Sequence, residues 1–131
     1  AINEAVRTAL PELLKKFDVI HLCGKGKVYD SLLDTPGYVQ FEYVQDELRD
    51  IINLADAVIS RAGANVICEL VALLKPNILI PLPATSSRGD QILNAASFKK
   101  QGFSLVIEEE TLTKEILLEN LNEVFAVAYW E

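Results

Sequence analysis

Methionine is absent from this 131-residue sequence, histidine occurs once, and there are only two cysteines, Cys23 and Cys68. Two cysteines are too few for a disulfide framework and fit no metal-ligand spacing. Both lie in apolar stretches, so they are expected to be reduced, buried packing residues, which suits a cytoplasmic setting. A single histidine, His21, has no companion nucleophile with which to build a triad. No stretch approaches the ~18 consecutive apolar residues of a membrane span, and no basic-then-apolar leader opens the chain. Basic residues are outnumbered 12 to 19, a net charge of −7. That balance argues against a nucleic-acid binder or an anionic-membrane binder, both of which need a basic surface. There is no Asp-x-Asp pair of the kind that holds a divalent metal against a sugar diphosphate. With no methionine, and opening Ala-Ile-Asn-Glu inside a helical pattern, the chain is expected to be a piece of something longer.

What is present is the composition of one folded domain, 50% apolar and 24% charged, near the usual domain size. Ile2, Val6, Ala9, Leu10, Leu13, Leu14 and Phe17 recur at helical steps, with Pro11 expected to kink the helix or restart it. Asp18–Cys23 reads as a buried strand stopped by Gly24 and Gly26. Tyr38–Phe41 reads as a short strand, and Gln45–Leu54 as a helix. Then follow a strand at Ala57–Ser60, a helix at Ala64–Leu74 and a strand at Asn77–Pro81. A helix at Asp90–Gln101 ends at Gly102, a strand covers Ser104–Glu108, and a helix runs from Thr113, its cap, to about Val127. Apolar strands alternating with helices imply an α/β domain with a parallel sheet covered on both faces.

In such sheets ligands bind beyond the carboxyl ends of the strands, where loops lead into helices. The loop Ser60-Arg-Ala-Gly-Ala-Asn-Val-Ile-Cys-Glu69 is one candidate. Gly63 lets the chain turn sharply, the following amides open a helix whose positive end suits phosphate, and Glu69 has a carboxylate suited to a ribose diol. The alternative is a routine strand–helix turn with a solvated glutamate. The loop Pro81–Asn94 is long for its position, and long loops in compact domains tend to be functional. Asp90 is a candidate cap, while Gln91 and Asn94 present amides able to read sugar hydroxyls. A capped surface helix is the alternative. His21, inside a buried strand, is expected to be a packed, hydrogen-bonded residue. Glu108–Glu110 reads as a solvated loop, and Gly24-Lys-Gly26 is too short for a glycine-rich phosphate fingerprint.

Three stretches together are more specific: Ala55-Asp-Ala-Val-Ile-Ser-Arg-Ala-Gly-Ala-Asn-Val-Ile-Cys-Glu-Leu70, Lys75-Pro-Asn-Ile-Leu-Ile-Pro-Leu-Pro83 and Gly89-Asp-Gln-Ile-Leu-Asn-Ala95. From Ala1 to about Asn122 the chain resembles the donor-binding half of the MurG family, bacterial transferases of N-acetylglucosamine in peptidoglycan synthesis. The resemblance implies the C-terminal Rossmann-like half of a two-domain GT-B enzyme. UDP-N-acetylglucosamine would bind here, and a lipid-linked muramoyl acceptor (lipid I) would bind the other half. It implies that Glu69 holds the ribose hydroxyls and that Gly63, Ala64, Asn65 and Val66 face the diphosphate. Gln91 would read the sugar, with Asp90 beside it and Asn94 one turn on. The main chain near Val44 and Gln45 would bond uracil, with Leu48 packing nearby. No cofactor and no metal are implied, and no catalytic base is assigned within the chain. Attachment of the full-length protein to the inner face of the plasma membrane would belong mainly to the other half.

The chain departs from the family where some members carry two adjacent glutamines, for here Asp90 precedes Gln91. The loop before it is also longer. The family's first strand of this domain, with its Gly-Gly-Ser loop, would precede Ala1. That strand is central, so the chain is expected either to be a cut fragment or to pair its sheet in another way. An alternative of another class is a non-catalytic nucleotide-sugar-binding subunit of a split transferase that needs a partner chain. A related sugar-nucleotide epimerase would need cleft carboxylates and a histidine, and His21 is in the wrong kind of segment.

Overall fold

The computed structural model of the chain describes residues 2–84 and 89–126. The order is α1 (Ile2–Leu13), β1 (Val19–Leu22), β2 (Tyr38–Phe41), α2 (Leu48–Leu54), β3 (Val58–Ser60), α3 (Ala64–Ala72), β4 (Asn77–Leu79), α4 (Asp90–Lys100), β5 (Leu105–Val106) and α5 (Lys114–Ala126). The alternation expected from periodicity is present, with shorter strands. Pro11 does not restart the helix: it lies inside a single α1 that continues to Leu13, before Phe17 closes the turn on the Leu13 carbonyl. Thr113 caps α5 through Oγ1, 3.2 Å from the Ile116 amide, and Gly102 takes the left-handed conformation (φ 81°) past α4. The end of the last helix at Val127 lies outside the described residues.

β4 is the middle of the core. Ile78, Leu79 and Ile80 are wholly buried, and their alternation divides the interior into two layers. Ile78 and Ile80 join Val6, Ala9 and Leu13 of α1 and Leu117, Leu121 and Val124 of α5. Leu79 points the other way, to Ile52 of α2, Ile67 and Leu70 of α3 and Ala95 of α4. Each of these large side chains contributes roughly 1.5–3 kcal/mol by leaving water. Phe17 and Phe125 stack beside the first layer, ring centroids 5.2 Å apart.

All strand pairs are parallel, but they form two sheets: β1 with β2, and β3–β4–β5. The Val19 and Cys23 amides donate to Gly37 and Phe41, so the intervening backbone groups of Ile20 and Leu22 face the opposite edge. In β3, Val58 donates to Pro76 and Ser60 accepts from Ile80, which turns the backbone of Ile59 away from β4. Among the described residues no strand joins β1 to β3, although Val19 and Ile59 pack against the same buried cluster. The helix before β1 and those after β3 and β4 lie on opposite faces, the pattern of a doubly wound sheet with its switch point between β1 and β3.

Cys23 is buried, but Cys68 is exposed, against expectation. Helical phase is the reason, since Ile67 and Leu70 take the inward face of α3 and leave Cys68 outside. His21 is 6% exposed, as expected of a packed residue. Its Nδ1 is 2.7 Å from the Tyr38 hydroxyl and its Nε2 is 2.8 Å from Asn3 Oδ1. The Asn3 amide nitrogen donates to the Cys23 carbonyl at 2.8 Å, which fixes the amide orientation. Asn3 Oδ1 only accepts, so the proton sits on Nε2 and Nδ1 accepts from Tyr38.

Candidate functional site

Beyond Ser60 the chain passes through Arg61 and the fully buried Ala62 to Gly63, the residue before α3. Gly63 has φ −72° and ψ 145°, a conformation open to any residue, and a Cβ there would meet nothing within 4 Å. The expected need for glycine at a sharp turn is therefore not what the backbone shows. No side chain caps α3. Ala64 and Asn65 are exposed and Val66 is half-buried, so the first amides of the helix face solvent with the positive end of its dipole.

Glu69 lies further along α3, on the side facing α2. Its Oε2 is 3.7 Å from Arg49 Nε, with side-chain exposures of 37% for Glu69 and 67% for Arg49. That Oε2 is shielded from solvent yet accepts no hydrogen bond. Arg49 is thus its charge partner across a gap longer than a hydrogen bond, and the exposed part of the Glu69 side chain is what a ligand hydroxyl can reach.

The start of α4 closes onto the same loop. Gln91 Oε1 accepts from the Ala62 amide at 3.3 Å and from the Leu82 amide at 2.9 Å. Asn94 Nδ2 donates to the Ala62 carbonyl at 3.1 Å. These two amides, expected to read sugar hydroxyls, thus also hold protein backbone. Gln91 keeps its amide nitrogen as the group that can donate to a ligand. Asp90 does not cap α4: Gly89, at φ 85°, precedes the helix, and Asp90 is its exposed first residue. Residues 85–88 of the preceding long loop lie outside the described residues.

On the other side of α2, Val44 is half-buried and Gln45 exposed. They line a groove of about 610 Å³ with Ile20, Phe41, Tyr43 and Ile51. The Leu48 amide donates to the Gln45 carbonyl at 3.2 Å, and Leu48 packs against the cluster around Ile52. Sequence reading missed Arg61 and Glu109. Arg61 Nη2 is 2.5 Å from Glu109 Oε1, and Nη1 lies 3.3 Å from the Ile80 carbonyl and 3.4 Å from that of Pro81. Glu109, read as solvated, is half-buried in a 3-10 turn after β5. The available signal was a lone cation at the end of an apolar strand, with its partner 48 residues away.

A doubly wound α/β domain with an uncapped helix end and polar side chains gathered at the carboxyl ends of β3 and β4 is of the class that binds small phosphorylated ligands at its switch point. Residues 1–128 match the description "Glycosyltransferase family 28 C-terminal domain", and the chain belongs to that family. It is 61% identical over 125 residues to a protein of Lachnospira eligens and 64% identical over 124 residues to one of Lachnoclostridium phytofermentans. Each match covers 95% of this chain and 35% of the relative. Both relatives are named UDP-N-acetylglucosamine--N-acetylmuramyl-(pentapeptide) pyrophosphoryl-undecaprenol N-acetylglucosamine transferase. A Clostridium novyi protein of the same name is 58% identical over 124 residues. The chain thus spans about a third of the length of these curated relatives.

Proposed function

We propose that this chain is the donor-binding part of an inverting transferase that moves N-acetylglucosamine from its UDP carrier to a lipid-linked muramoyl-pentapeptide acceptor. The names and identity of the relatives support the reading, and the observation that carries it here is the start of α3, uncapped after Gly63, with Gln91 held against Ala62 just before it. Glu69 accepts hydrogen bonds from the ribose hydroxyls. The Gly63, Ala64, Asn65 and Val66 segment presents the start of α3 to the diphosphate. Gln91 donates its amide nitrogen to the sugar, with Asn94 and Asp90 nearby. The Val44 and Gln45 main chain meets uracil, beside Leu48.

In the reaction, the acceptor C4 oxygen bonds to the anomeric carbon on the face opposite UDP. The bond to the diphosphate oxygen breaks, and its electron pair leaves with UDP. The contribution of this chain is electrostatic: the helix-end amides stabilise charge as it grows on the departing diphosphate. The hydroxyl proton goes to a base outside this chain. The acceptor and the inner face of the plasma membrane are met by the rest of the full-length protein. Among the described residues no helix is long and apolar enough to cross a membrane.

Titration with UDP, UDP-N-acetylglucosamine and NAD, followed by amide NMR shifts, tests the reading. Saturable shifts at residues 63–69 and at Gln91 with the uridine ligands, and none with NAD, are the expected result. Equal shifts with NAD, or none with any ligand, would overturn it.

A further inference from the structure

We propose that Arg61 is a positioning residue that locks the three loops at the carboxyl edge of β3, β4 and β5 into one rigid rim. This role rests on the donor-binding reading above. The Arg61 guanidinium reaches the Ile80 carbonyl at 3.3 Å, the Pro81 carbonyl at 3.4 Å and Glu109 Oε1 at 2.5 Å. One side chain after β3 therefore grips the end of β4 and the turn after β5. The Arg61 side chain is 29% exposed and that of Glu109 24%, so solvent screens the pair only in part. The next residue, Ala62, is held by Gln91 through its amide and by Asn94 through its carbonyl. Gln91 also holds Leu82, next to Pro81. The loop is thus gripped from the β4–β5 side by Arg61 and from the α4 side by Gln91 and Asn94. It delivers the chain to Gly63 and the uncapped end of α3. A planar fork with several donors can make all three Arg61 contacts at once, whereas a lysine ammonium at this site can hold Glu109 but not both carbonyls as well.

The test compares the wild type with Arg61→Met, Arg61→Lys and the double variant Arg61→Met/Glu109→Leu, each in the whole chain. The readouts are UDP titration, amide hydrogen exchange without ligand, and the thermal midpoint. In Arg61→Met the Ala62 and Leu82 amides exchange at least about tenfold faster while those of Ile80 and Ile107 do not, because the opening is local. UDP affinity falls about tenfold, and Arg61→Lys recovers part of it because the charge-assisted bond to Glu109 survives. The double variant removes the unpaired carboxylate, so its midpoint returns towards the wild-type value while its affinity does not. Unchanged exchange at Ala62 and Leu82, or a double variant that regains full affinity, would overturn the positioning role. A wild-type chain that takes up no UDP would overturn the donor reading instead, and the exchange rates would still decide the role of Arg61.

Discussion

The side-chain carbonyl of Gln91 accepts hydrogen bonds from the amides of Ala62, at 3.3 Å, and Leu82, at 2.9 Å. A residue at the start of α4 thereby joins the loops that follow β3 and β4. Its oxygen serves the protein, and its nitrogen makes no hydrogen bond among the described residues, so truncation and charge exchange have different consequences. Gln91→Ala loses both functions and weakens UDP and UDP-N-acetylglucosamine together. Gln91→Glu keeps an acceptor for the two amides, loses the donor and adds a negative charge. The added charge weakens both ligands alike, and loss of the donor is expected to weaken UDP-N-acetylglucosamine by about 1 kcal/mol more than UDP, the net worth of one hydrogen bond. Calorimetric titration of both ligands checks this, and equal losses in Gln91→Glu would count against a sugar contact.

Glu69 calls for a test in which the ligand changes as well as the protein. Its exposed partner Arg49 contributes little, since such pairs are typically worth ~0–1 kcal/mol. Glu69→Gln preserves side-chain shape and removes the charge that a ribose diol would bond. UDP affinity is expected to fall by ~1.5–3 kcal/mol, the usual worth of hydrogen bonds to a charged group. The thermal midpoint should hardly move, because Glu69 fills no part of either core cluster. The wild type should prefer UDP over its 2′,3′-dideoxy analogue and the variant should not. Retained discrimination by the variant would remove the ribose assignment.

The sequence revealed the alternation of elements because α1 and β4 carry unambiguous periodicities, with Val6, Ala9 and Leu13 on one helical stripe and Ile78 to Ile80 in a continuous apolar run. It singled out residues 61–69 and 90–94, two segments that the structure joins through Gln91 and Asn94 at Ala62. It could not show how those loops join, because the Arg61–Glu109 and Ala62–Gln91 contacts span 48 and 29 residues. Glu109 sits in an acidic triplet, where local pattern alone suggests solvation. Cys68 is exposed because helical phase, not local apolarity, decides which residues of α3 face the core. Residue type alone does not fix the backbone at Gly63, whose φ of −72° imposes no need for glycine.

His21 makes stability depend on pH in a defined window. Burial, and after it the charge of Arg7, lowers its pKa from the ordinary 6.5 to about 4. Between those values the unfolded chain binds a proton that the folded chain does not. Stability therefore falls as pH drops from 6.5 towards 4, by up to about 3 kcal/mol from this group. His21→Gln removes that titration and flattens the slope in this window. It also costs about 1–3 kcal/mol at neutral pH, because Tyr38 and Asn3 lose a partner. Urea midpoints of both proteins between pH 4 and 7.5 provide the comparison. Parallel curves would mean that His21 titrates alike in the folded and unfolded states.

The division of the sheet leads to a last expectation, read from individual amides. Ile20, Leu22 and Ile59 turn their backbone groups to the facing edges of β1 and β3, where no strand is described, whereas Ile80 and Ile107 donate within the three-stranded sheet at 2.8 and 3.0 Å. Burial cannot produce the same contrast by itself, since Ile59 packs against the same cluster as Ile80. Hydrogen exchange at Ile20, Leu22 and Ile59 should therefore be at least about a hundredfold faster than at Ile80 and Ile107, because edge amides open locally and central ones only with the core. Adding a strand between β1 and β3 should slow all three edge amides at once, since both edges face the same gap. If they are already as slow as Ile80 in the chain alone, the two edges are paired in solution, with each other or with a second copy.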